Sequence, residues 1–159
     1  MKKVTVITPY YRGEKTIFNT INSVFNSYEN VKNDINLEYI VIIDSMDDRD
    51  KIFKKLKNEY KDKIILLENQ ENLGVAKSRN KAIKLATGDY VIFLDQDDNL
   101  DKNYFTYIKN NIEADSKVIL VNGYICNKVN GKKAPLYYVR PKLRRKTFLR
   151  ANKISTPGQ

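Results

Sequence analysis

The sequence predicts an α/β fold, a mostly parallel β-sheet with flanking helices. Three observations predict it. Short apolar runs bounded by turn residues recur along the chain, as buried strands of a parallel sheet do. Segments with apolar residues at three- and four-residue spacing alternate with those runs. One run, Tyr90-Val91-Ile92-Phe93-Leu94 after Gly88-Asp89, stops at three carboxylates within four positions, Asp95, Asp97 and Asp98. Ligands of open α/β sheets bind just beyond the carboxyl ends of such strands.

Taken in order, Val4-Thr5-Val6-Ile7 is a first strand, expected to end at Thr8-Pro9 because proline cannot donate to a ladder. Gly13 opens a helix whose Ile17, Ile21, Val24, Phe25 and Tyr28 share one face, and Asn30 to Asn36 reads as a polar connection. Tyr39-Ile40-Val41-Ile42-Ile43 is a second strand with Asp44 at its end. The loop after it offers Asp47 or Asp48 as N-cap of a helix marked by Ile52, Phe53, Leu56 and Tyr60, whose lysines form a solvated face. Ile64-Ile65-Leu66-Leu67 is a third strand, Asn69 to Gly74 a loop, and residues 75–86 a short helix. Tyr90 to Leu94 is the fourth strand, expected to be buried on both faces. Residues 101–115 read as a helix with Tyr104, Phe105, Ile108 and Ile112 on one side. Val118-Ile119-Leu120-Val121 is a fifth strand extending toward Cys126, Asn130-Gly131 a hairpin turn, and Leu136-Tyr137-Tyr138-Val139 its return strand. Strand–helix alternation implies right-handed parallel crossovers, and the hairpin makes the expected sheet mixed.

With 159 residues the chain fits one domain with a real core. It has no histidine, so acid–base and metal work fall to carboxylates. Cys126 stands alone, which excludes an intramolecular disulfide and fits a reducing compartment. No apolar run approaches the ~18–20 residues of a membrane span, and the N-terminus enters a strand directly, without a signal peptide. A cytoplasmic location is therefore expected. The net charge of +10 is uneven: residues 116–159 hold eleven basic side chains and no acidic one. Such asymmetry points to an anionic partner.

Asp95, Asp97 and Asp98 repel one another unless a cation or hydrogen-bond donors neutralise them, and hard oxygen ligands suit Mg²⁺ or Mn²⁺. An acidic turn in which Asp98 or Asn99 caps the next helix explains the same residues. Both readings stand on these residues alone.

Four segments together resemble the N-terminal part of a family-2, inverting glycosyltransferase. They are Val6-Ile7-Thr8-Pro9-Tyr10-Tyr11, Leu37 to Asp44, Asn72-Leu73-Gly74-Val75-Ala76-Lys77-Ser78-Arg79-Asn80, and Gly88-Asp89-Tyr90 through Asp95-Gln96-Asp97-Asp98. In order and spacing they cover nearly all of residues 1–100. The resemblance implies the GT-A nucleotide-diphospho-sugar transferase fold, a Rossmann-like mostly parallel sheet with flanking helices. It implies a donor, expected to be a UDP-sugar, held by Pro9, Tyr10, Tyr11, Asp44, Arg79, Asp95 and Gln96. Tyr10 and Tyr11 would lie against the base, and Asp44 would accept a base N–H. Arg79 would help hold the diphosphate or the aspartates. Asp95 would meet the ribose or the metal, and Asp97 would coordinate Mn²⁺ or Mg²⁺. The acceptor would be a polysaccharide or a glycolipid, saccharide or lipid-linked. By the same resemblance residues 1–115 form the nucleotide-sugar-binding core and 116–159 begin the acceptor side.

Two departures stand out: Ile43 replaces the first of two aspartates, and Arg12 replaces an asparagine. The family domain runs on beyond this length, and no carboxylate follows Asp115 to serve as the general base at an acceptor hydroxyl. The expectation is a truncated chain, its catalytic base outside it, that binds a nucleotide sugar and transfers poorly or not at all. Arg140, Lys142, Arg144, Arg145, Lys146 and Arg150 alternate with Leu143, Phe148 and Leu149. This suits peripheral contact with an anionic membrane at its cytoplasmic face or with a phosphorylated acceptor, and equally a solvated surface. Nucleic acid is not expected, since no recognised motif for it is present. A nucleotidyltransferase would more typically carry a glycine-rich loop after the first strand, where this chain has Gly13 only.

Overall fold

The computed structural model describes residues 1–114, residue 119, residues 123–126, residue 130 and residues 132–136. Two compact units divide the chain, Met1–Ser116 and Lys117–Gln159. In the first, β1 (Lys2–Tyr10) leads to α1 (Glu14–Tyr28), β2 (Ile35–Ile43), α2 (Arg49–Tyr60), β3 (Ile65–Glu68), α3 (Gly74–Ile83), β4 (Tyr90–Phe93) and α4 (Tyr104–Glu113). The four strands form one sheet in the order β3-β2-β1-β4, parallel throughout. In the second unit, β5 (Gly123–Cys126) and β6 (Lys133–Leu136) pair antiparallel with each other. The hairpin is thus present as its own ladder, and its return strand begins at Lys133 rather than Leu136. The remainder of the expected fifth and return strands, the Gly131 turn position and the basic stretch from Arg140 to Arg150 lie outside the described residues.

Strand alternation puts helices on both faces of the sheet. Ile7, Ile40 and Ile42 point to one face, where Ala82 of α3 packs on them with Leu67, Ala86 and Val91 at the margin. Tyr39 points to the other, with Phe25 of α1 6.1 Å away between ring centres. Tyr60 of α2 stacks between Phe18 and Phe25 of α1. Along α1 the buried positions Ile17, Thr20, Ile21, Val24 and Ser27 recur at helical spacing and make the core stripe. α4 docks on α1 through buried Phe105, whose N–H donates to Ser27 Oγ at 3.0 Å.

Several expectations are corrected. β1 does not stop at Pro9: it pairs with β2 through Thr8, Pro9 and Tyr10. Ile7 O accepts from Leu94 N and Tyr10 O from Asp44 N, so alternate residues bond to opposite neighbours. Pro9 shares the side of Ile7, and the β4 ladder has already ended there. Its missing N–H therefore costs no ladder bond. β2 begins at Ile35, inside what reads as a polar connection, because Lys2 and Lys3 of β1 extend the ladder to meet it. β4 is not buried on both faces. It is the edge of the described sheet, with Val91 and Ile92 half-buried and Phe93 exposed. Asp48 occupies the N-cap position of α2 as expected, yet without a side-chain cap bond; its Oδ2 accepts from Tyr10 Oη instead.

Candidate functional site

Strand order reverses at β1: β2 and β3 lie on one side and β4 on the other. Such a switch point leaves a crevice at the carboxyl ends of the strands, because the connecting loops turn away in opposite directions. A cleft of about 400 Å³ sits there, lined by Pro9, Tyr10 and Tyr11 after β1, Asp44 after β2, Asn72, Gly74 and Val75 before and within α3, and Asp95, Gln96 and Asp97 after β4.

Asp44 is buried at its rim and accepts three hydrogen bonds. Oδ1 accepts from Asn69 Nδ2 at 2.7 Å and Leu73 N at 2.8 Å, and Oδ2 accepts from Gly74 N at 2.8 Å. The carboxylate thus satisfies N–H groups at the start of α3, where negative charge is favoured. A carboxylate has about four acceptor sites, so Oδ2, with one bond, is the oxygen with capacity for a ligand N–H. Gly74 adopts φ +76, and a Cβ there would meet nothing within 4 Å, so backbone conformation alone calls for glycine. Beneath Asp44, Asn69 Nδ2 also donates to Ser78 Oγ at 2.8 Å, and Lys81 Nζ reaches Asn69 Oδ1 at 2.9 Å and Glu68 O at 2.7 Å.

The two tyrosines differ. Tyr10 is wholly buried, and its hydroxyl donates to Asp48 Oδ2. Burial first, then the Asp48 carboxylate, pushes its phenol well above the ordinary value. Tyr11 is 44% exposed, with the Arg12 guanidinium 5.2 Å from its ring centre. Both line the cleft, Tyr11 as a partly exposed residue and Tyr10 as a buried one whose hydroxyl is already committed. Arg12 holds φ +50, in the left-handed region, and pairs with Asp47 across the loop mouths.

On the β4 side Arg79 pairs with Asp95 and lies 5.3 Å over the Phe93 ring. Arg79 is not in the cleft lining; it reaches the site through Asp95. Its Nε is buried without a hydrogen-bond partner among the described residues. Asp97 is exposed and makes no hydrogen bond or ion pair among the described residues. Burial, then the charges of Asp95 and Asp97, hold the Asp98 carboxyl above its ordinary value. Among the described residues no cluster of three or more side chains forms a ready metal cage. Mg²⁺ and similar ions commonly use one or two carboxylates with phosphate and water completing the shell, and Asp97 with Asp95 fits that donor set.

Every expected donor-site residue except Arg79 lines this one cleft. Asn72, Gly74 and Val75 line it too, although the sequence reading assigned no role to them within the Asn72–Asn80 segment. Asn69, Ser78 and Lys81 carry no signal in the sequence, and Asp48 stands out there only as a helix cap; lone polar residues in loops and helices carry no pattern until the fold brings them together.

The sequence model of the family described as "Glycosyl transferase family 2" matches residues 5–158. "Glycosyltransferase GlyA" of Streptococcus pneumoniae serotype 4 is 30% identical over 131 residues, covering 81% of this chain and 18% of that protein. The Escherichia coli "UDP-Glc:alpha-D-GlcNAc-diphosphoundecaprenol beta-1,3-glucosyltransferase WfaP" is 32% identical over 132 residues, covering 72% of this chain and 49% of that protein. Among solved structures, S. aureus TarS 1-349 in complex with UDP superposes with TM-score 0.58 at 32% identity, covering 70% of this chain and 32% of that one. The chain spans less than half the length of these curated relatives.

Proposed function

The chain belongs to glycosyl transferase family 2 and has its GT-A, Rossmann-like fold, and on that premise we propose that its cleft binds a nucleotide-diphosphate sugar for transfer to a polysaccharide or glycolipid acceptor. The observation that carries the reading is the convergence of Tyr11, Asp44, Asp95 and Asp97 on one cleft at the strand-order reversal. Each fits a part of such a donor. The exposed Tyr11 ring suits a flat base. Asp44 Oδ2 can accept an imide N–H, which favours a uracil base, and the TarS complex contains UDP. Asp95, with Arg79 beside it, faces the ribose and diphosphate, and Asp97 with Asp95 would hold Mn²⁺ or Mg²⁺.

A divalent ion there would supply Lewis-acid stabilisation of the departing diphosphate. The chain's own groups orient the donor: Tyr11 stacks on the base, Asp44 fixes its edge, and Arg79 holds Asp95 in place and offsets its charge. Residues 1–115 are the donor-binding part, and residues 116–159 begin the acceptor side. WfaP is named for a diphosphoundecaprenol acceptor, and the basic residues between Arg140 and Arg150 would suit an anionic lipid-linked acceptor or peripheral contact with the inner face of the cytoplasmic membrane. No helix among the described residues is long and apolar enough to cross a membrane.

Calorimetry of the full chain with UDP, GDP, CDP and ADP, each with and without Mn²⁺, tests the reading. Preferential UDP binding that tightens with Mn²⁺ is expected. Equal, metal-independent binding of all four would overturn it.

A further inference from the structure

We infer that Gln96 is a positioning residue that couples the tyrosine wall of the cleft to its acids, an inference that rests on the donor reading above. Gln96 stands between Asp95 and Asp97, yet its side chain is directed to the backbone of another loop. Its Oε1 accepts from Tyr11 N at 2.8 Å, and its Nε2 donates to Tyr11 O at 2.8 Å. A side-chain amide thus pairs with both backbone groups of one residue, as a neighbouring strand would. The pairing begins where the ladder between β1 and β4 has run out, since that ladder ends at Ile7 and Phe93.

Two further contacts hold Gln96 in this position. Its carbonyl accepts from Thr20 Oγ1 of α1 at 2.7 Å, and Thr20 is buried. Its amide also lies across Gly13. A Cβ on Gly13 would stand 2.3 Å from Gln96 Cδ and Oε1, and 2.7 Å from Nε2. Gly13 has an ordinary φ of −106, so a Cβ there would displace the Gln96 amide without straining the backbone. With Arg79 on Asp95, the stretch from Asp95 to Asp97 is pinned on both sides. The backbone that carries the Tyr11 ring is therefore tied to the backbone that carries the two carboxylates. A cation drawn to Asp97 and a base resting on Tyr11 each stabilise the same loop arrangement, which is the physical basis of coupling between them.

Amide exchange and calorimetry on the full chain test this separately. Gln96→Ala is expected to speed exchange at Tyr11 N–H roughly tenfold and to cut the Mn²⁺-dependent gain in UDP affinity roughly tenfold, in line with losing two hydrogen bonds. Gln96→Glu keeps the acceptor for Tyr11 N–H and loses the donor to Tyr11 O, so it should fall between. Gly13→Ala should reproduce the loss in the parent chain and add little in the Gln96→Ala background. Unchanged Tyr11 exchange in Gln96→Ala, or additive losses in the double variant, would overturn the inference. A parent chain that binds no UDP would overturn the donor reading instead, and exchange at Tyr11 would still decide whether Gln96 holds that loop.

Discussion

Asn69 Nδ2 donates to Asp44 Oδ1 at 2.7 Å, joining the ends of β2 and β3 beneath the cleft. With Leu73 N and Gly74 N on the same carboxylate, Asp44 organises the entry to α3 as well as facing the cleft. Asp44→Asn removes the charge and turns an N–H₂ toward donors. It should cost about 3 kcal/mol of stability, since three charge-assisted bonds to a buried group are disturbed. Urea denaturation measures this; a loss below about 1 kcal/mol would show that the loop does not depend on the carboxylate.

Tyr10 and Tyr11 should separate stability from binding. Tyr10→Phe leaves Asp48 Oδ2 without its donor, while Asp48 Oδ1 already lacks a partner. It should cost about 1–3 kcal/mol of stability. Tyr11→Ala leaves the backbone pairing with Gln96 intact and should change stability by less than about 0.5 kcal/mol. It should weaken UDP binding up to about tenfold through lost stacking. Thermal melts and calorimetry on both variants check the contrast.

Asp97→Asn should abolish the metal dependence of UDP binding and leave the fold within about 0.5 kcal/mol of the parent, because this exposed carboxylate holds nothing else in place. Titration with Mn²⁺ at fixed UDP decides it; retained dependence would remove Asp97 from the role proposed for it.

Glu38 sets an acid limit on stability. It is a buried carboxylate, and burial alone would push its pKa up. Hydrogen bonds from the Thr87 side chain and N–H, from Thr5 and from Lys3 outweigh that and hold it down at about 2. A folded value below the unfolded one of 4.5 means the stabilisation is complete above pH 4.5 and fades as pH falls toward 2. Glu38→Gln should lose about 2 kcal/mol at neutral pH and show a shallower decline across that window. Denaturation midpoints from pH 7 to pH 2 for the two chains measure it.

Two glycines should respond differently to alanine. At Gly88 a Cβ would stand 2.5 Å from Thr5 Oγ1, 2.8 Å from Thr5 N and 2.9 Å from Tyr90 O. Two of these are backbone atoms of paired strands, so Gly88→Ala should cost about 1–3 kcal/mol and loosen the Thr87–Glu38 contacts. Gly74→Ala meets only the left-handed φ and should cost about 1 kcal/mol. Comparing the two by urea denaturation distinguishes crowding from backbone strain.

The sheet was legible from sequence because burial on both faces enforces continuous apolar runs, as in Val4–Ile7 and Tyr39–Ile43. Edges were less so. Ile35 joins β2 and Pro9 stays in β1 because a partner strand was there to pair with, and local residue preference carries no record of that partner. β4 reads as a central strand by composition and lies at the described edge.

For the cleft, the strand-end argument reached only the aspartates after β4; the family resemblance carried by the four segments added Pro9, Tyr10, Tyr11, Asp44 and Gln96, and Asn72, Gly74 and Val75 of the lining went unassigned. Sequence alone determined which apolar runs become strands and which polar residues follow their ends. Tertiary structure alone decided how each is used: Tyr10 inward on Asp48, Tyr11 outward, Asp44 committed to the start of α3, Arg79 behind Asp95, and Gln96 turned onto Tyr11. The reason is physical. A polar side chain's role is set by which partner reaches it first within hydrogen-bond distance, and those partners come from strands and loops as many as 85 residues away along the chain.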